Sequence, residues 1–153
     1  MHSEIPPLFL DDLVVGQTYD TDELQVTRDD IIEFATKYDP QPFHLDDAAA
    51  AASLFRGLAA SGWHTAALTM RLLVDSGIFG GGGVGAGMQV NWPTPTRPGD
   101  VLFVRATVAS ITPSRSKPDR GIVEVHCETL TRDGQLRQDL MAKLLVFRRD
   151  SGS

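Results

Sequence analysis

The spacing of apolar side chains changes period about midway along this 153-residue chain. Up to about residue 75 they recur at three- and four-residue steps, as on one face of a helix; beyond residue 84 they alternate, as on a half-buried strand. After an irregular start, residues 18–26 read as a strand. Thr27 is placed to cap a helix over 28–37, with Asp30 near its positive end and Ile31, Ile32, Phe34 and Ala35 as its apolar positions. A proline-rich segment over 38–46 ends that helix. Asp46 and Asp47 then introduce an alanine-rich helix over 48–55, which Gly57 terminates. The longest helical pattern covers 61–75, where Ala66, Ala67, Met70, Leu73 and Val74 predict a largely buried helix, stopped by Gly77 and the glycines at 80–83.

Four strands follow over 84–92, 101–111, 121–130 and 136–147. Val123, Val125 and Cys127 alternate with Glu124, His126 and Glu128, and Asp133-Gly134 marks a hairpin turn before the last strand. Long strands after a buried central helix predict an α+β fold in which an antiparallel sheet wraps around that helix. No internal repeat is visible, and the chain reads as one domain over 1–153 with its core over about 10–148.

Fourteen basic and 20 acidic side chains leave a formal net charge of −6, which argues against general nucleic-acid binding. The single cysteine, Cys127, excludes an internal disulfide and reads as a small buried filler or, alternatively, a reactive thiol. Glu4, Pro6 and Pro7 break any signal-peptide pattern, and no apolar run of membrane-spanning length exists, so a cytoplasmic location is expected.

The chemistry concentrates in residues 38–46, Tyr-Asp-Pro-Gln-Pro-Phe-His-Leu-Asp. Asp39 and His44 are five residues apart, a spacing that puts them on different sides of a helix, and Pro40 and Pro42 remove two backbone donors. Fully extended, five residues span roughly 16 Å. An acid–base pair therefore requires a tight turn that folds the segment back. The structural alternative is that Asp39 caps the preceding segment while His44 leads into a helix whose N-cap is Asp46.

This segment resembles the signature of the MaoC-like dehydratases, the (R)-specific enoyl-CoA hydratases. The likeness continues through Ala48 to Ala52, Phe55, the small-residue run Leu58-Ala59-Ala60-Ser61-Gly62, and the link Trp92-Pro93-Thr94-Pro95-Thr96-Arg97-Pro98-Gly99-Asp100. Tyr38, Gln41 and Ser61 depart from the family's usual Gly, Asn and His, and Met70 stands where some members place a hydroxyl. The resemblance implies a hot-dog fold, assembly as a homodimer or larger oligomer, and an acyl-CoA thioester as substrate. It implies no separate cofactor, coenzyme A being part of the substrate.

Hydrating a double bond conjugated to a thioester requires a base for water, a proton for the α-carbon and a donor for the enolate-like oxygen. An imidazole accepts a proton near neutral pH, which suits His44, and Asp39 would orient and share the water. The backbone amide of Gly62, at the start of the buried helix, is the expected oxygen donor, although a glycine there could instead serve close packing. Gln41, Pro42, Phe43, Ser61 and Trp63 are expected to line the substrate, with Ser61 also able to cap the helix. Trp63, Met70, Phe79 and Trp92 are the bulky residues on which tunnel depth would depend.

Other features weigh less. Gly80, Gly82 and Gly85 fit a dinucleotide-loop spacing without the strand–turn–helix around it, and a loop over the mouth of the site is the better reading. His64 reads as a satisfied core histidine and His126 as a residue on a sheet face. His44, His64 and His126 lack metal-ligand spacing, so no metal is expected. Arg115 and Lys117 belong to a solvated basic turn that could alternatively meet coenzyme A phosphates. A thioesterase would need a carboxylate aimed from the central helix, and Asp75 lies too near its far end; a non-catalytic thioester-binding module is the remaining alternative.

Overall fold

The computed structural model describes residues 7–149. The strand expected over 18–26 is split into β1 (Thr18–Asp20) and β2 (Leu24–Gln25). The break has a local cause. Thr21 turns inward, its Oγ1 accepting from Val104 N at 2.9 Å and donating to the Asp22 carbonyl at 2.8 Å. Helix α1 (Arg28–Tyr38) is capped as its sequence predicts, with Thr27 Oγ1 accepting from Asp30 N at 3.1 Å. It ends where Asp39 adopts φ −151°, since the residue before Pro40 is driven out of the α region.

Helix α2 (Asp47–Ala51) is shorter than its alanine run suggests. Asp46 caps it through Ala49 N at 2.8 Å, but Ser53 Oγ and Gly57 N both take the Ala50 carbonyl and pull the chain away. Helix α3 (Gly62–Ser76) ends on Gly77, whose φ of 78° suits a residue without a Cβ. Four long strands complete the fold: β3 (Gly83–Asn91), β4 (Val101–Pro113), β5 (Arg120–Thr131) and β6 (Leu136–Phe147).

All pairings are antiparallel, in the order β1-β4-β5-β6-β3, with β2 continuing the edge along β4. Alternation assigns the two faces. Leu102, Val104, Ala106 and Val108 of β4, Val123, Val125 and Cys127 of β5, and Leu140, Ala142, Leu144 and Val146 of β6 all point inward. Leu72 and Leu73 of α3 and Ile78 pack onto this face. A second cluster, built on Ile31, Ala50, Leu58, Ala60 and Leu102, fixes α1 and α2 at one end of the sheet. The sheet therefore wraps around α3 as the sequence implies.

The helix itself is less buried than its composition predicts. Thr65, Thr69, Leu72, Leu73 and Ser76 face the sheet, whereas Trp63, Met70 and Val74 are exposed. The residues facing the sheet include two threonines because a polar ladder runs through the interior. Thr65 Oγ1 meets Thr96 Oγ1 at 2.8 Å, Thr69 Oγ1 meets Thr129 Oγ1 at 2.6 Å, and the fully buried Gln138 joins Thr69 at 3.0 Å to the Trp92 indole N–H at 2.8 Å. Each of these buried hydroxyls has a partner, which is what makes their burial affordable. Cys127 is buried among apolar side chains, and desolvation pushes its thiol up to about 12, so it acts as a filler rather than a nucleophile. No helix among the described residues is long and apolar enough to cross a membrane.

Because Ile31 is fully buried, Ile31→Ala should lower unfolding free energy by about 2–5 kcal/mol. Thr27→Ala, which removes only a cap, should cost about 1 kcal/mol, and Val15→Ala at an exposed turn less than about 0.5 kcal/mol. Urea denaturation of the three variants checks this order.

Candidate functional site

The proline-rich segment forms the tight turn that an acid–base pair would require. Pro42 opens a short 3-10 turn, Pro42–His44, and main-chain bonds from Gln41 N to Asp39 O at 2.7 Å and from His44 N to Gln41 O at 2.9 Å bring the chain back on itself. Asp39 Oδ2 and His44 Nε2 end 3.4 Å apart. The imidazole is buried, 4% exposed, and is flanked edge-on by Phe43, with Phe55 beyond.

The proton on this ring is placed by a main-chain carbonyl. His44 Nδ1 lies 2.6 Å from Ala59 O, and a carbonyl only accepts, so Nδ1 carries the hydrogen. In the neutral ring Nε2 then presents its lone pair toward Asp39. The carboxylate has two donors of its own: Ser61 Oγ donates to Oδ2 at 2.7 Å and Gln41 Nε2 to Oδ1 at 2.5 Å. Burial pushes the Asp39 carboxyl up, but these two hydrogen bonds and the charge His44 can carry outweigh it. The group consequently sits below its ordinary value of 3.8.

A cavity of about 610 Å³ opens beside this pair, lined among others by Gln41, Phe43, His44, Phe55, Gly62 and Trp92. Gly62 is the first residue of α3, and its N–H makes no hydrogen bond among the described residues. The Trp92 ring lies directly over it: a Cβ on Gly62 would fall 2.6 to 2.9 Å from three indole carbons. The close-packing reading of Gly62 and the free-amide reading are thus compatible. A second cavity of about 480 Å³ runs along α3 between Trp63, Met70, Phe79, Met88 and Leu140, and is almost entirely apolar. The Trp63 and Trp92 rings, in edge contact at 5.5 Å, join the walls of the two cavities.

The expected substrate-lining residues separate on inspection. Gln41 and Phe43 line the first cavity, whereas Pro42 is exposed at the turn outside it. Trp63 faces the second cavity. Ser61, 1% exposed, neither caps α3 with its side chain nor faces the cavity; its hydroxyl is committed to Asp39. His64 is buried as expected and stacks on Phe34 at 4.7 Å, but its Nδ1 has no partner, contrary to the expectation of a satisfied histidine. Desolvation lowers its pKa, only partly opposed by Asp30.

Several remaining features lie away from the pair. Gly80 to Gly82 follow the far end of α3, where Gly82 borders the apolar cleft rather than the mouth of the acid–base cavity. Asp75 is exposed near that same end and is paired with Arg71 at 2.7 Å. The turn holding Arg115 and Lys117 adjoins Phe147, roughly 30 Å along β6 from Arg137 at the cavity. His126 lies on a sheet face with its Nε2 2.5 Å from Asp139. No group of three His, Cys, Asp or Glu among the described residues could hold a metal ion. The residues that sequence reasoning missed are Ala59, Thr96, Arg97, Arg137 and Gln138. They reach the site across large sequence separations; Ala59, Thr96 and Arg97 stand in segments that carry the family resemblance, but nothing local assigned them a role, and Arg137 and Gln138 left no local signal.

Residues 12–129 match the family model described as the MaoC like domain. Among solved structures, the MaoC-like dehydratase from Rhodospirillum rubrum is 56% identical and superposes with a TM-score of 0.90, over 93% of this chain and 98% of that one. The (R)-hydratase from A. caviae involved in PHA biosynthesis is 26% identical with a TM-score of 0.71, over 86% of this chain and 96% of that one. Among curated proteins, the uncharacterized protein YdeM of Bacillus subtilis (strain 168) is 36% identical over 78% of this chain and 85% of its own length. The 3-hydroxybutyryl-CoA dehydratase of Methylorubrum extorquens is 31% identical over 76% and 74%. With its hot-dog sheet, its Asp39–His44 turn and a match that spans most of its length, the chain belongs to the MaoC-like dehydratase family.

Proposed function

We propose that this protein is a hydro-lyase that interconverts 2-enoyl-CoA and (R)-3-hydroxyacyl-CoA. The observation that carries this reading is the geometry of the pair: the Ala59 carbonyl holds the hydrogen on His44 Nδ1 and turns Nε2 toward the Asp39 carboxylate, 3.4 Å away. A water lodged against both groups would lose a proton to Nε2 as its oxygen bonds to the β-carbon. Asp39, already ionised, stabilises the imidazolium that forms. The pair then returns one proton to the α-carbon, so that water is added and the enzyme is unchanged. In the reverse direction the same groups remove the α-proton and release the hydroxyl as water.

Negative charge that develops on the thioester oxygen needs a donor fixed in advance. The Gly62 amide, at the positive end of α3 and on the cavity wall, is suited to that role, and losing such a donor typically costs on the order of 3 kcal/mol in the barrier. Gln41 and Ser61 act through Asp39 in this reading, and Phe43 shields the imidazole. The acyl chain would follow the wall formed by Trp92 and Trp63 into the apolar cleft along α3. The carboxylate on α3 that a thioesterase would require is missing from this end of the helix, where Asp75 does not reach.

A second copy of the chain has a natural place. Strand β3 is an edge, exposed over almost its full length, and it continues the apolar surface of Trp63, Met70, Val74, Val84 and Met88. An uncovered edge beside an apolar stripe favours pairing between subunits. Sedimentation should therefore report at least twice the chain mass, with Gly87→Pro on β3 shifting it toward the monomer; a wild-type monomer at micromolar concentration would contradict the homodimer.

In a spectrophotometric panel of trans-2-enoyl-CoAs, wild type should consume the conjugated thioester without releasing free thiol. Asp39→Asn and His44→Ala should each slow this by roughly 100-fold or more. Thiol release would instead identify a thioesterase. The depressed Asp39 pKa also fixes the sign of a stability effect. The contribution of this carboxylate is fully present above 3.8 and is lost as pH falls through its lower value in the folded protein. Wild type and Asp39→Asn should accordingly converge in stability only below that pH, as urea melts across the acid range would record.

A further inference from the structure

The guanidinium of Arg97 lies in the loop between β3 and β4, half-buried, and no step above uses it. Its side-chain hydrogen bonds all go to main-chain carbonyls: Nη1 to Gly57 O at 2.8 Å and Leu58 O at 3.2 Å, and Nη2 to Phe55 O. Asp100 takes the backbone N–H of Arg97 at 2.8 Å and is itself held by Arg137 at 3.0 Å, which anchors the loop from the other side. The three carbonyls belong to one irregular strap, residues 55–61, that crosses from α2 to α3.

The same strap also holds the acid–base pair, and Arg97 lines the cavity beside His44. Ala59 O accepts the His44 Nδ1–H, Ala59 N donates to Phe43 O at 3.2 Å, and Ser61 Oγ donates to Asp39. Ala60 N completes the clamp by donating to Thr96 O at 2.9 Å, next to Arg97. The strap is shaped for the guanidinium. Gly57 has no side chain where a Cβ would stand 3.3 Å from Nη1. Arg56 takes a φ of 56°, alone among the described non-glycine residues in having a positive value. Such a conformation is unfavourable for a residue with a Cβ and persists where surrounding contacts hold it.

We infer that Arg97 is a positioning residue: by binding the three strap carbonyls that precede Ala59, it fixes the Ala59 carbonyl that keeps the His44 proton on Nδ1 and Nε2 free. A planar fork of donors can serve three carbonyls at once, which the point charge of a lysine cannot. The inference rests on the reading of His44 as the base, but its first test does not require turnover. Two-bond proton–nitrogen spectra of the imidazoles distinguish the tautomers, and His44→Gln assigns the His44 signals among the four histidines.

Wild type should show His44 as the single Nδ1–H tautomer. Arg97→Met should show a mixture, with kcat for enoyl-CoA hydration reduced roughly 10- to 100-fold and KM changed far less, the expected effect of a slightly misplaced base. Arg97→Lys should fall between them, and millimolar guanidinium should restore part of the rate of Arg97→Ala. Should Arg97→Met fail to fold, Arg97→Lys, which keeps the charge and the stem but loses the fork, is read in its place. A folded variant that keeps the wild-type tautomer and a kcat within about twofold would overturn the inference, since a merely structural arginine would lower only the melting temperature. Absence of hydration by wild type would sink the functional reading while the tautomer spectra still decide the role of Arg97.

Discussion

A carbonyl oxygen has no proton to give, and the 2.6 Å contact between Ala59 O and His44 Nδ1 therefore decides the state of the whole site. With a hydrogen committed to Nδ1, Nε2 is the ring atom turned toward Asp39. Were the strap to shift and release Nδ1, a neutral ring could carry its hydrogen on Nε2 instead and donate it to the carboxylate. Much of the surrounding architecture bears on that one bond. The proline turn sets the ring, the strap sets the carbonyl, and the loop before β4 sets the strap.

The sheet and the long helix divide the labour along the axis of α3. At its N-terminus the main chain is irregular, rich in small residues and crossed by hydrogen bonds, so polar groups can be buried with partners. Farther along, the same helix turns an apolar flank toward β3 and β6 and leaves a cleft suited to hydrocarbon. The polar ladder from Thr96 through Thr65, and from Thr129 through Thr69 and Gln138 to Trp92, lies where these two regimes meet. It holds the Trp92 indole over Gly62, at a point where only glycine leaves room for it.

Most of the fold could be read from the chain because its signals are local. Thr27, Asp46 and Gly77 mark helix ends by their own backbone chemistry, and alternation over Val123 to Glu128 is a property of six consecutive residues. The expectation of a largely buried α3 erred because apolar periodicity reports an amphipathic face without saying whether a neighbour within the same chain covers it. Asp39 and His44 were legible through the family resemblance of their segment, because its prolines and spacing alone also fit a cap and a helix entry. Ser61 stands at the N-cap of α3, but its hydroxyl was expected to cap the helix or line the substrate and instead goes to Asp39, since the pull of a carboxylate 22 residues away leaves no trace beside it. The same limit hid Arg97, whose carbonyl partners lie 39 to 42 positions earlier in the chain.

The central claim is that one acid–base pair adds water across a conjugated thioester and sets a single hydroxyl configuration. It is tested most directly by running the reaction in deuterium oxide and resolving the product by NMR and chiral chromatography. The expected product is a 3-hydroxyacyl thioester of (R) configuration that carries one deuterium on its α-carbon, with the thioester intact. An (S) alcohol, or a free acid and thiol in place of the hydroxyacyl product, would contradict it.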